Sequence, residues 1–135
     1  MPARSYLTLS LALIAGFAMT IANRSESGAA DKPAKVLKHI VLYKFKDNQT
    51  PQQIQEVVDA FAALPGKIDT VAGLQYGTNV SEENKSEGLT HCFLVTFRDA
   101  QGRDAYIKHP AHQEYVNLVK DRREKVVVFD FWADQ

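Results

Sequence analysis

Only one cysteine, Cys92, occurs in the 135 residues, so no disulfide can close within the chain and stability rests on a packed core. Neither sign of charge dominates, with 16 Lys and Arg against 16 Asp and Glu. A balanced chain carries no electrostatic footprint for nucleic acid and no cationic excess to hold it on an anionic membrane. There is no phosphate-binding loop, no G-x-G-x-x-G fingerprint and no G-x-S-x-G element. Phosphoryl transfer, nicotinamide redox chemistry and α/β-hydrolase chemistry therefore find no support, and no motif calls for a cofactor. The length allows one domain.

No apolar run is comfortably long enough to span a bilayer. The longest, Leu7 to Ala22 (LTLSLALIAGFAMTIA), follows the single basic residue Arg4 and is followed by small residues. A basic start, a short apolar stretch and small residues form the pattern of a secretory signal. Residues 1–30 are expected to be that signal, cleaved after Ala22 or Ala30, with an uncleaved anchor as the alternative. Residues 31–36 close a small, polar run that reads as a linker. Removing residues 1–30 takes away Arg4, Arg24 and Glu26, leaving 14 basic against 15 acidic side chains. The mature domain, 37–132, is thus expected to be exported to the periplasm or outside, without a membrane of its own.

Lys38 to Lys46 (KHIVLYKFK) alternates as a strand does, with His39, Val41, Tyr43 and Phe45 on one face and Ile40 and Leu42 on the other. A strand apolar on both faces is buried on both sides. Thr50-Pro51-Gln52-Gln53 opens a helix: Thr50 caps, Pro51 suits the first helical position and Gln53 completes a capping box. Ile54, Val57, Val58, Phe61 and Leu64 then recur on one helical face, and Pro65-Gly66 ends it. Strands are expected at about Val71–Val80, Thr90–Phe97 and Val126–Trp132, with a charged loop at Ser81–Gly88. Asp99 caps a further helix that His109-Pro110 interrupts, since proline disfavours helical geometry in the residue before it.

The order β-α-β-β-α-β implies an α+β, ferredoxin-like domain with a four-stranded antiparallel sheet and its helices on one face. Ile40, Leu42, Cys92 and Leu94 then fall on the face left bare. An uncovered apolar face implies a partner, and the simplest is a second copy about a two-fold axis.

Four segments, KHIVLYKFK, NKSEGLTHCFLVTF, DAYIKHPAHQEYV and VVVFDFW, resemble the stress-responsive A/B barrel family of dimeric α+β barrels. The resemblance spans nearly the whole domain. It implies a small homodimer; members are mostly of unassigned activity, and some are linked to stress tolerance in plants. One plant member closes a polyketide ring by aldol condensation with a tyrosine and a histidine around the His-Pro-Ala-His element. At the matching positions here stand Tyr106 and His112, and His39, His91 and Asp130 also match that enzyme.

Read from topology, Asp130 lies beside His39 and could orient its imidazole, or the two could simply satisfy each other. Tyr106 and His112 would lie on opposed sides of an unbroken helix, and the break at Pro110 could turn both inward. A neutral imidazole near a phenol suits proton transfer next to a carbonyl; the bland alternative is a capping histidine and a core tyrosine. Val41, Phe61, His91 and Phe93 are candidates to line a ligand pocket, and His109 serves the turn. His109-x-x-His112 has a zinc-like spacing, but Pro110 disrupts it and no third ligand is evident, so no metal is expected. Two readings remain. One is an exported homodimer that binds a small apolar molecule or serves a structural stress role. The other is a cofactor-free enzyme acting on a carbonyl compound, cyclase-like or monooxygenase-like. A pocket on which the four polar side chains converge discriminates between them.

Overall fold

The computed structural model describes residues 34–135; the expected signal, its cleavage sites and residues 31–33 of the expected linker lie outside the described residues. Four strands, β1 (Lys35–Phe45), β2 (Val71–Thr78), β3 (His91–Phe97) and β4 (Arg123–Asp134), form one sheet in the order β2-β3-β1-β4, every pair antiparallel. The helices are α1 (Pro51–Ala62), α2 (Ala100–Lys108) and α3 (Pro110–Val119), with a 3-10 turn at Leu64–Gly66. This is the ferredoxin-like arrangement expected from the element order.

The capping box at the start of α1 forms as the sequence implies. Thr50 Oγ1 accepts from the Gln53 amide at 3.2 Å and Gln53 Oε1 accepts from the Thr50 amide at 2.9 Å, so two otherwise unpaired donors are satisfied. The helix then buries Val57 and Phe61 against β1 and β3 residues Val41, Tyr43, Phe93 and Val95 in one core.

β1 begins earlier, and β4 runs further at both ends, than hydrophobic alternation indicates. β1 starts at Lys35, so Lys35 and Val36 belong to a strand and not to the linker. The ladder explains this: Lys35, Val36 and Leu37 pair with Asp134, Ala133 and Trp132. Paired backbone extends a strand through residues whose side chains carry no pattern. His39 accordingly sits in the middle of β1 rather than opening it, and is only 6% exposed.

Leu37, His39, Val41, Tyr43 and Phe45 face the helices, in register with Trp132, Asp130, Val128, Val126 and, past an irregularity after Lys44, Arg123 on β4. The opposite face carries Ile40 and Leu42, paired with Leu94 and Cys92 on β3 and with Phe129 and Val127 on β4. No helix among the described residues covers that face, and Phe129 is 60% exposed.

Candidate functional site

The break at Pro110 builds the site. Proline holds His109 in an extended conformation, φ −64° and ψ 137°, so α2 stops and α3 starts at the same residue. Carbonyls in the last turn of a helix have no partner within it. Here the Ile107 carbonyl accepts from His112 Nδ1 at 3.0 Å and from Gln113 Nε2 at 2.7 Å, both in the first turn of α3. His109 caps that helix, its Nδ1 accepting from the Ala111 amide at 3.1 Å. The capping histidine is therefore His109, and His112 is left for other work.

A carbonyl can only accept, so Nδ1 of His112 carries the hydrogen and Nε2 keeps its lone pair. Burial pushes the His112 pKa below the ordinary imidazole value; the bond to Ile107 opposes this, and nearby His39 adds to the lowering. A neutral base results. The Tyr106 ring lies 4.5 Å from the His112 ring, centroid to centroid. Tyr106 is 1% exposed, and its hydroxyl is buried without a hydrogen-bond partner among the described residues. Burial raises its pKa, with the neighbouring Tyr43 adding to the effect, so the phenol stays protonated and able to donate. A buried, unpaired hydroxyl costs about 1–3 kcal/mol, which makes it an anomaly to be explained.

Tyr106 and His112 share a cavity of about 220 Å³ between the sheet and the helices. His39, Val41 and Tyr43 enter it from β1, Phe61 from α1, and Tyr115 and Val116 from α3. Arg123, Val126 and Val128 close it from β4. His39 Nδ1 and Asp130 Oδ1 are 2.6 Å apart, the contact that strand order implies. Asp130 itself stands behind His39, outside the cavity lining. Its second oxygen accepts from Arg103 Nη1 at 3.0 Å. Sequence reasoning passed over Arg103, although it precedes Tyr106 by three residues and so shares its helix face.

Of the four side chains expected around a pocket, only Val41 and Phe61 line this cavity. Phe93 is core, stacked on Phe61 with centroids 4.0 Å apart. His91 lies four places along the register from the His39 pair, bonded through Nδ1 to Thr90 Oγ1 at 2.8 Å. It borders a separate cavity of about 300 Å³ beneath the Asn79–Thr90 segment, beside Leu42 and Cys92. Facing the helices is not enough to reach the cavity, because antiparallel pairing carries the start of β3 to the far end of β1. Among the described residues, no three His, Cys, Asp or Glu side chains come together in a metal-binding group.

A ferredoxin-like domain of this sequence has known counterparts. The chain belongs to the family described as Stress responsive A/B Barrel Domain, which it matches over residues 37–133. The stress-response A/B barrel domain-containing protein HS1 of Arabidopsis thaliana is 36% identical over 95 residues, covering 70% of this chain and 87% of HS1. Olivetolic acid cyclase of Cannabis sativa is 34% identical over 95 residues, covering 70% of this chain and 94% of the cyclase. A protein of unknown function from Jannaschia, described as dimeric and ferredoxin-like, is 28% identical with a TM-score of 0.62, covering 71% of this chain and 97% of that one.

The lowered pKa of His112 sets a checkable pH dependence. In NMR titration its ring should protonate below about pH 6.5, the ordinary imidazole midpoint. The unfolded chain then takes up this proton first, so this histidine's contribution makes stability fall as pH drops from about 6.5 to the folded midpoint. His112→Gln should flatten that part of the urea-midpoint curve; a midpoint at or above the ordinary value contradicts the geometry.

Proposed function

We propose that the domain works as an exported homodimer whose cavity takes up a small, largely apolar carbonyl compound and moves a proton on it, His112 acting as base and Tyr106 as donor. The observation that carries this reading is the buried, unpartnered Tyr106 hydroxyl beside the free Nε2 of His112 in one cavity. Nε2 removes a proton from the carbon next to the carbonyl, and the electron pair moves onto the carbonyl oxygen as an enolate. Tyr106 O–H donates to that oxygen as its charge develops. In a cyclase-like reaction the enolate carbon attacks a second carbonyl carbon, a C–C bond forms, and the new alkoxide recovers the proton from the His112 imidazolium. The likeness to olivetolic acid cyclase supports this course, and a filled interior would have favoured a purely structural role. His39, backed by Asp130 and Arg103, adds a second imidazole at the cavity wall. The walls of Val41, Phe61, Val116, Val126 and Val128 favour a second reading, binding of an apolar molecule without turnover.

Dimerisation is supported by the uncovered sheet face of Ile40, Leu42, Leu94, Val127 and Phe129, and by the dimers described among solved relatives. Export is supported by the Arg4 start and the apolar run that follows.

The chemistry is testable with benzoylacetone, by following deuterium exchange at the carbon between its carbonyls. His112→Ala should lower the protein-dependent rate by about 10²–10⁴-fold with the fold intact. Tyr106→Phe should slow exchange yet leave the melting temperature unchanged or higher, because it deletes a buried hydroxyl whose desolvation costs about 1–3 kcal/mol. If both variants bind the diketone and melt normally while the wild type exchanges no faster than buffer, the cavity binds without turnover. Sedimentation should find a dimer for the wild type, and monomers or insoluble protein for Leu42→Asp, which places a charge in an apolar interface; a stable wild-type monomer at micromolar concentration removes the dimer. N-terminal sequencing after expression in the native host should begin at or after Asn23 in a non-cytoplasmic fraction, and intact Met1 in the cytosol defeats export.

A further inference from the structure

The two adjacent arginines at the start of β4 are treated differently by the fold. Arg122 is neutralised: its Nη1 donates to Glu56 Oε2 at 2.7 Å and to the Gln53 carbonyl at 2.8 Å. Arg123 turns instead into the cavity. Among the described residues it forms no ion pair; its guanidinium lies 5.9 Å from the centroid of the Tyr43 ring. None of the described side chains lining the cavity is acidic. A guanidinium at the cavity wall with no carboxylate beside it leaves its charge open to an anion.

A second donor stands beside it. Tyr115 donates its hydroxyl hydrogen to the Tyr43 oxygen at 3.2 Å, which leaves the Tyr43 hydrogen free to give. Burial raises the pKa of Tyr43, so that hydrogen is retained. A guanidinium fork and a phenol together suit a carboxylate, which only accepts and which arginine can grip through two bonds.

We propose that the cavity's ligand is an anion, a carbonyl compound whose carboxylate binds at Arg123 and Tyr43 while its reacting carbonyl lies between Tyr106 and His112. This rests on the reading of the cavity given above and narrows its substrate class. The two ends are well separated. His39 and Tyr43 are four residues apart on β1, roughly 13 Å along a strand. The carboxylate is therefore remote from the reacting carbonyl, across a ring or short chain that meets Val41, Phe61 and Val126. Simple 2-oxo acids, whose two groups are adjacent, do not span that distance.

The test compares benzoylacetone with its derivative bearing a carboxylate para on the ring, by titration against the wild type, Arg123→Gln and Arg123→Lys. The wild type should prefer the carboxylate by about tenfold or more, as one charge-assisted contact allows. Added salt should shrink that preference, Arg123→Gln should bring the ratio close to one, and Arg123→Lys should keep part of it. Equal affinities for the wild type, or a preference that survives in Arg123→Gln, overturn the anionic class. His112-dependent exchange of benzoylacetone with no such preference leaves the acid–base reading standing and removes only this one. If neither compound binds, both fall. Should Arg123→Gln not fold, Arg123→Lys and the salt dependence of the wild type decide alone.

Discussion

Pro110 has no amide hydrogen and disfavours helical geometry at His109, and from that steric fact the arrangement of the candidate site follows. Had the helix run on, the Ile107 carbonyl would have been tied up in its own ladder. Because α2 ends, that carbonyl is free to hold the His112 imidazole at 3.0 Å. The same bond decides which nitrogen bears the hydrogen and which one faces outward with a lone pair. It also turns His112 back toward Tyr106, bringing together two side chains that an unbroken helix would hold apart. A local backbone constraint thus determines the tautomer, the orientation and the neighbour of the proposed base.

The polar groups around the cavity differ in how they are satisfied, and the differences carry the proposed chemistry. His39 is held by Asp130, and Asp130 by Arg103, in a chain that runs from the cavity wall through β4 to α2. That pair is electrostatically complete. Among the described residues Tyr106 and Arg123 are not: one offers a hydroxyl with no acceptor, the other a charge with no counterion. In a core packed as tightly as this one, with Phe61, Phe93 and Phe97 buried around it, such omissions are expected at places kept for something else.

The two faces of β1 divide the labour of the sheet. The face bearing His39, Val41 and Tyr43 meets the helices and forms both core and cavity. The face bearing Ile40 and Leu42 continues an apolar surface across β3 and β4 that no described helix covers. A sequence apolar on both faces of a central strand encodes two interfaces at once, and the helices can occupy only one of them.

Local pattern alone conveyed the element order, the cap at Thr50 and the helix break, since each depends on side chains within a few residues of one another, and the bare sheet face followed from that order. The His39–Asp130 contact was legible too, because strand order brings the two together once the topology is known. What the pattern could not convey depended on distance. The extension of β1 to Lys35 comes from backbone pairing with β4, which leaves no trace in hydrophobicity. Phe93 and His91 share a face with His39, yet antiparallel pairing and the stacking of Phe61 put one in the core and the other at the far end of the sheet. Arg103 and Arg123 carry no motif, and both acquire meaning only from what the fold places opposite them: a carboxylate for the first, an uncharged cavity wall for the second. The sequence by itself thus determined which elements form and which residues can do acid–base chemistry. Tertiary packing alone decided which of those residues share a cavity and which charge within it goes unanswered, because both are properties of neighbours far apart in the chain.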